Sequence, residues 1–361
     1  MQTEILASHG VMEGNGAYNQ HARLQVDGIS LAMPFLEKAI QDMDLDCDDQ
    51  PVTIADYGSS QGKNSLAPMR LIIDNLRQRL RSHRSIFVYH IDQPANDFNT
   101  LFQVLDADAD RYTLNEPNVF PCAIGRSFYG QVLPAASVHL GWCSYAAVWL
   151  SRVPCPIPGH FIPIHCTGLE LSAYERQAAQ DWETFLVLRA RELRPGGRLV
   201  VVLPAFNDEG VTGFEDFMDH ANAVLAAMVE EGALTRKERE RMVLGTRPRR
   251  RCELLAPFQA DGQFEGLSAE RCELLPLPDF AWPDYERTRD KEAFAARHAL
   301  FFRSAFINTL AGGLTAAHDR ERCRVFADQF EIGLKRRLAV NPEPLHSFVQ
   351  IMVIAKRDRC V

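Results

Sequence analysis

Two apolar patterns alternate along the first half of the chain. Short β-branched runs end in glycine or serine, and between them lie stretches whose apolar residues recur at helical spacing. Val52-Thr53-Ile54-Ala55-Asp56-Tyr57, closed by Gly58-Ser59-Ser60-Gln61-Gly62, predicts a buried strand entering a tight turn. Leu66, Met69, Leu71, Ile72, Leu76 and Leu80 then follow a helical period. Ile86-Phe87-Val88-Tyr89-His90-Ile91 is a second strand, and parallel strands joined through a helix imply an α/β sheet. Further strands are predicted at residues 120–125, 138–144, 199–203 and 348–354, with a long helix over 171–193 that stops at Arg194-Pro195-Gly196-Gly197. Upstream, a Gly-rich opening from Met12 through Gly14, Asn15 and Gly16 to Tyr18 precedes a loosely amphipathic helix (Leu24, Ile29, Leu31, Phe35, Leu36, Ile40) and an acidic linker over 42–49. The expected fold is a Rossmann-like doubly wound sheet.

After Leu203 the period becomes helical, at 214–231, 236–244, 291–310 and 323–338, interrupted by a hairpin-like stretch over 252–277. The last strand follows these helices, so they read as an insertion folded over the carboxyl edge of the sheet. The expected division is a nucleoside-binding domain over 1–205, completed by 345–361, and a mainly helical cap over 206–344. The pentapeptide Arg-Cys-Glu-Leu-Leu occurs at 251–255 and again at 271–275, with no longer period to make it a repeat.

Composition narrows the function classes. The chain has 361 residues, 46 % of them hydrophobic, which supports a full core. Its longest apolar runs are strand-sized, short of the roughly 20 residues that cross a bilayer. The early Glu4 and His9 do not fit a secretory signal, so a cytoplasmic protein is expected. A net charge of −8 argues against a nucleic-acid binder, whose affinity comes from clustered cations. The cluster Arg247-Pro248-Arg249-Arg250-Arg251 reads as a solvated surface loop. Nine cysteines without paired spacing read as reduced thiols.

In open α/β sheets a ligand sits beyond the carboxyl ends of the strands, at the first strand-to-helix turn, with an acidic residue after strand two on the ribose hydroxyls. Gly58 and Gly62 supply the turn and Asp92 the acid. Full GxGxxG is missing, which favours a nucleoside cofactor without a pyrophosphate. Asp56 has two readings, a helix cap or a contact to the amino-acid end of a sulfonium cofactor, and Asp92 beside it favours the second.

Several segments resemble the SABATH methyltransferases, the salicylic acid, benzoic acid and theobromine-type enzymes. They are Gly16-Ala17-Tyr18 with Gln25; Ile54 through Asp56-Tyr57-Gly58 to Asn64-Ser65-Leu66; Pro94-Ala95-Asn96-Asp97-Phe98-Asn99; Gly125-Arg126-Ser127-Phe128-Tyr129-Gly130; and Ser144-Tyr145-Ala146-Ala147-Val148-Trp149. Their order and spacing agree over the first 155 residues and thin beyond, through Arg194-Pro195-Gly196-Gly197 and Met228-Val229-Glu230-Glu231. The resemblance implies S-adenosyl-L-methionine as cofactor, contacted by Tyr18, Asp56, Gly58, Asn64, Asp92, Ser127 and Phe128, with Gln93 beside the adenine. It implies that Gln25 and Trp149 bind the acceptor carboxylate, and that Tyr145, Val148, Phe217, Met218 and Phe348 line or adjoin the pocket. The family's metal position reads Met242-Val243 here, and His160 and His165 lack a third ligand, so no metal is expected.

The expected reaction is carboxyl O-methylation of a small carboxylic acid. A carboxylate is ionised at neutral pH, with an ordinary pKa near 4, so no general base is needed. Gln25 and Trp149 can donate N–H groups but cannot take a proton. Assigning Trp149 to the acceptor implies that its loss spares cofactor binding. The alternatives are N-methylation of a purine-like heterocycle, methylation of a larger natural-product or peptide acid, and a regulatory subunit that binds cofactor without turnover. No nucleic-acid or membrane partner is expected, and relatives suggest a homodimer.

Overall fold

The computed structural model describes residues 10, 12–14, 16–45, 50–80, 83–259 and 262–357. Glu4, His9, Asn15, the end of the acidic linker and the last four residues lie outside the described residues.

Eight strands form one sheet: β1 (Val52–Tyr57), β2 (Ile86–Asp92), β3 (Val119–Gly125), β4 (Val138–Ser144), β5 (Leu193–Pro204), β6 (Gln263–Phe264), β7 (Leu267–Leu277) and β8 (Ser347–Lys356). The helices are α1 (Ala17–His21), α2 (Arg23–Gln41), α3 (Leu66–Arg79), α4 (Phe98–Ala107), α5 (Gly168–Glu192), α6 (Glu215–Glu230), α7 (Arg236–Arg241), α8 (Arg251–Leu255), α9 (Trp282–Thr288), α10 (Lys291–Ala311) and α11 (Arg320–Val340). The sheet order is β3-β2-β1-β4-β5-β8-β7-β6, parallel from β3 to β5, with β8 antiparallel to β5 and to β7. This is the doubly wound sheet expected from the sequence, with its order reversing at β1 and β4.

One face is covered by α2 and α3, whose Ile29, Leu36, Ile40, Met69 and Ile72 pack on Ile54, Val88 and Leu140. On the other, Trp182 and Phe185 of α5 lie against Ala55, Tyr57 and Val201. No helix joins β3 to β4. That loop is tied down by a buried pair on α5. Arg189 donates to the carbonyls of Phe128 (2.9 Å) and Gly130 (3.3 Å), while Glu192 accepts from the N–H groups of Val132 (2.7 Å) and Leu133 (3.2 Å) and from the Tyr57 hydroxyl (2.7 Å).

Two local readings change. Residues 194–197 do not stop a helix ahead of a later strand, because β5 starts at Leu193 and its pairing with β4 shifts register between Val138 and Leu140, beside Gly196 at φ 74°. Residues 263–277, expected within the cap, form the β6–β7 hairpin at the sheet edge. Glu265 and Gly266 turn it with φ of 52° and 75°, the double positive φ of a tight hairpin, and β7 finds its hydrogen-bond partners on β8. The helices α6, α10 and α11 close over the carboxyl ends of the strands around Phe217, Phe302, Phe326 and Phe330.

Candidate functional site

Two adjoining clefts open at the carboxyl ends of β1, β2, β4 and β5. The first, about 680 Å³, is built on the turn after β1. Gly58 has φ 92°, and a Cβ there would lie 2.1 Å from the Cβ of Ala146, so only glycine lets this turn meet the loop after β4. Asp92, ending β2, accepts from the N–H groups of Ser60 (2.7 Å) and Gln93 (2.7 Å). Burial pushes its carboxyl up to about 6 against those two bonds, and the Asp56 charge adds to the rise. Gln93, Asn96, Ser127, Phe128 and Tyr18 complete the wall.

The second cleft, about 720 Å³, lies between α2, the loop after β4 and the cap. Leu24, Ile162, Ile164, Phe214, Met218 and Phe301 make it apolar, and Gln25, Tyr145, Trp149, Thr212 and Thr246 are its polar lining. Among the described residues no charged side chain lines it. Met12, Tyr18, Tyr145 and Trp149 line both clefts, so the two meet across one wall. Burial raises the Tyr18 and Tyr145 hydroxyls further above the ordinary tyrosine range, so both stay neutral donors. Tyr145 is held at φ 56°, a left-handed conformation unfavourable for a bulky residue. A Cβ on Gly28 would sit 2.0 Å from the Tyr145 hydroxyl, so this glycine in α2 leaves room for it.

Among the described residues, four buried polar atoms without a partner belong to residues of these clefts: Gln25 Oε1 and Tyr145 Oη at the second, and Ser60 Oγ and Ser144 Oγ at the first. A buried polar atom left unpaired costs about 1–3 kcal/mol, so such a group is the signature of a ligand site. The donor set fits a nucleoside: a carboxylate for vicinal hydroxyls, small hydroxyls beside it, and the Phe128 ring for a base.

Of the residues singled out for the cofactor, Tyr18, Gly58, Asp92, Gln93, Ser127 and Phe128 line the first cleft. Asp56 and Asn64 lie behind the wall. Asp56 accepts from Ser65 Oγ (2.6 Å) and His90 Nδ1 (2.9 Å), and the other His90 nitrogen is 2.7 Å from the Tyr112 hydroxyl. Asn64 hydrogen-bonds the Tyr18 hydroxyl. Of the acceptor residues, Gln25, Tyr145, Val148, Trp149 and Met218 line the second cleft. Phe217 does not. It faces α10, with ring centroids 6.1 Å and 6.0 Å from Phe301 and Phe302, because consecutive helix residues point about 100° apart and only Met218 faces the cleft. Phe348 lines a separate groove with Pro276 and His346. Trp149 lines both clefts.

The arginine cluster is not a solvated loop: Arg249 is 2 % exposed and Arg247 5 %, with only Arg250 and Arg251 facing solvent. The sequence reasoning also missed Met12, Thr246, Phe301 and Ala305. The last two sit one turn apart on α10, a spacing visible in the sequence. The structure brings Asp219 to His160 and His165, its Oδ1 3.2 Å and 2.8 Å from their Nε2 atoms. His160 Nδ1 accepts from the Ile162 N–H (3.1 Å), which puts the ring proton on Nε2, facing Asp219. That tautomer suits a hydrogen bond and not a metal, so the trio fastens the 154–168 loop to α6. Among the described residues no helix is long and apolar enough to cross a membrane.

Comparison with known proteins agrees with this geometry. A family model described as SAM dependent carboxyl methyltransferase matches residues 4–312. Methyltransferase FUS9 of Gibberella fujikuroi is 34 % identical over 221 residues, a match spanning 61 % of this chain and 58 % of that protein. A probable S-adenosylmethionine-dependent methyltransferase of Arabidopsis thaliana is 30 % identical over 69 % of this chain and 74 % of its own length, and loganic acid O-methyltransferase of Catharanthus roseus is 31 % identical over 52 % and 53 %. A solved loganic acid methyltransferase with SAH shares the fold, with a TM-score of 0.74 at 23 % identity over 96 % of this chain and 99 % of that one. The chain belongs to the family of SAM-dependent carboxyl methyltransferases.

Proposed function

We propose that this protein converts a small carboxylic acid to its methyl ester. The observation that carries the reading is the shared wall, where a cleft whose donor set fits a nucleoside and a cleft with no charged lining among the described residues meet at Trp149 and Tyr145. S-adenosyl-L-methionine, when bound, supplies an electrophilic methyl on a sulfonium. Asp92 holds the ribose hydroxyls, Phe128 flanks the base, and Ser60 and Ser144 offer their free hydroxyls to the remaining polar groups. Gln25 and Trp149 donate N–H groups to one carboxylate oxygen and leave the other oxygen aimed at the wall. Orientation of this kind is worth roughly 7–11 kcal/mol of a barrier.

Among the described residues, none that lines the acceptor cleft can remove a proton at neutral pH, which suits an acceptor that arrives ionised. The cap helices act as a lid that excludes water, which favours charge neutralisation between sulfonium and carboxylate. The proposal includes a cytoplasmic enzyme, in keeping with seven free cysteines among the described residues. It also carries the expected homodimer, which light scattering reads directly.

The test is transfer of labelled methyl from the cofactor to a panel of aromatic and aliphatic acids and to xanthines, with the product identified by mass. The expected product is an ester that releases labelled methanol in alkali. A base-stable N-methyl product, or none from any acid, overturns the proposal.

A further inference from the structure

The buried loop that carries Trp149 is held in part by a side chain a hundred residues further along the chain. Arg249 is buried and makes no ion pair among the described residues, yet its guanidinium donates from one nitrogen to the Ala147 carbonyl (2.6 Å) and from another to the Ala178 carbonyl of α5 (3.0 Å). The guanidinium also lies beside the Tyr129 hydroxyl, which donates onward to the Trp149 carbonyl (2.6 Å), while its Nε has no partner among the described residues. Residues 245–249 extend this grip as a short ladder. Leu150 N–H bonds the Gly245 carbonyl (2.7 Å), Arg247 N–H bonds the Val148 carbonyl (3.0 Å), and Thr246 bridges Trp149. Ala146, one residue before Ala147, lies under Gly58.

We propose that Arg249 is a positioning residue for methyl transfer, which sets the Ala146–Trp149 loop so that the turn under the cofactor and the acceptor clamp stay in register. The inference rests on the function proposed above. A buried guanidinium is expensive to desolvate, and a hydrophobic side chain of equal volume would serve packing as well. What the planar fork adds is two donors in fixed, divergent directions joining α5, the loop after β4 and, through Tyr129, the loop after β3. A lysine offers one point charge and cannot span both carbonyls.

The experiment compares the full-length protein with Arg249→Lys, Arg249→Met and Tyr129→Phe, each checked for a cooperative melt. Tyr129→Phe deletes the bridging hydroxyl, keeps the ring of a residue that also lines the cofactor cleft, and guards against loss of fold in the arginine variants. A misplacement of about 1 Å costs on the order of 100-fold in rate. Arg249→Met is expected to lose that much kcat/KM for the acid, mostly in kcat, with the dissociation constant for S-adenosylhomocysteine changed less than threefold; Tyr129→Phe loses several-fold. A folded Arg249→Met with wild-type kcat/KM, or a loss confined to cofactor affinity, overturns the assignment. A second readout needs no turnover. With 5-fluorotryptophan at the four tryptophans, the fluorine resonance of Trp149, assigned by Trp149→Phe, is expected to shift or broaden in Arg249→Met and in Tyr129→Phe. An unchanged Trp149 resonance sinks the positioning role. Failure of the wild-type protein to methylate any acid sinks only the functional reading.

Discussion

Gln25→Met separates ligand binding from stability. Gln25 is 7 % exposed, its Oε1 has no partner among the described residues, and it lines the acceptor cleft but not the cofactor cleft. Methionine keeps the length and removes the amide. A hydrogen bond to a charged group is worth about 1.5–3 kcal/mol, so kcat/KM for the acid should fall about tenfold to 150-fold. In the ligand-free protein the change has the opposite sign, because it removes a buried acceptor that nothing satisfies, a gain of about 1 kcal/mol. The entropy of unfolding is about 2.1 cal/mol/K per residue, so over 361 residues that gain raises Tm by about 1 °C. Steady-state kinetics, calorimetric titration with S-adenosylhomocysteine and a thermal melt read the three quantities together. The clamp is refuted if kcat/KM stays within twofold of wild type, or if cofactor affinity falls as far as acceptor use. A melt lowered by several degrees would mean that the fold itself satisfies the amide.

Gly58→Ala brings a Cβ to 2.1 Å from that of Ala146 at φ 92° and should weaken S-adenosylhomocysteine binding at least tenfold by calorimetry, an idea that near-wild-type affinity removes. The ionised Asp92 carboxylate is the form that accepts ribose hydroxyls, and it titrates at about 6 in the free protein, so affinity should be flat above pH 7 and fall by up to tenfold per unit below about 6. Its folded pKa lies above the unfolded value, so its contribution to stability without ligand rises as pH falls through 6; Asp92→Asn should flatten both profiles. Arg189→Met leaves the fully buried Glu192 without its cation and should cost about 3–5 kcal/mol in urea denaturation, with partial recovery in Arg189→Met/Glu192→Leu; a single variant of wild-type stability would contradict this.

The sequence made one side of the cofactor cleft legible because its parts are local, whereas Tyr18, Ser127 and Phe128 came from a resemblance. β1, its glycine turn and Asp92 at the end of β2 each announce themselves by a run of β-branched residues closed by a special residue, and register in a parallel pair then brings Tyr57 opposite Ile91. The acceptor cleft was legible only in part. Gln25 and Trp149 came from a resemblance, and helical period cannot tell which of Phe217 and Met218 faces the cleft until α10 is in place. The buried arginines were misread for the same reason. A run of cations is normally solvated, and nothing near Arg249 in sequence reveals that the carbonyls of Ala147 and Ala178 await it.

The two copies of Arg-Cys-Glu-Leu-Leu isolate what decides such cases. At 251–255 the pentapeptide is helical: Glu253 accepts from the Arg250 N–H (2.6 Å), Leu254 is buried, and its carbonyl accepts from the Trp182 indole (3.0 Å). At 271–275 it is strand, with Cys272 opposite Met352 and Leu274 opposite Gln350 on β8, the buried cysteine followed by an exposed glutamate. Identical residues carry identical intrinsic preferences, so the difference comes from the partners that α5 and β8 present. The loop bearing Trp149 is placed in the same way, by Thr246 and Arg249 from far along the chain. The chemistry proposed for this protein therefore depends on tertiary contacts that no window of sequence contains, and mutations at those contacts should alter turnover while leaving every motif residue in place.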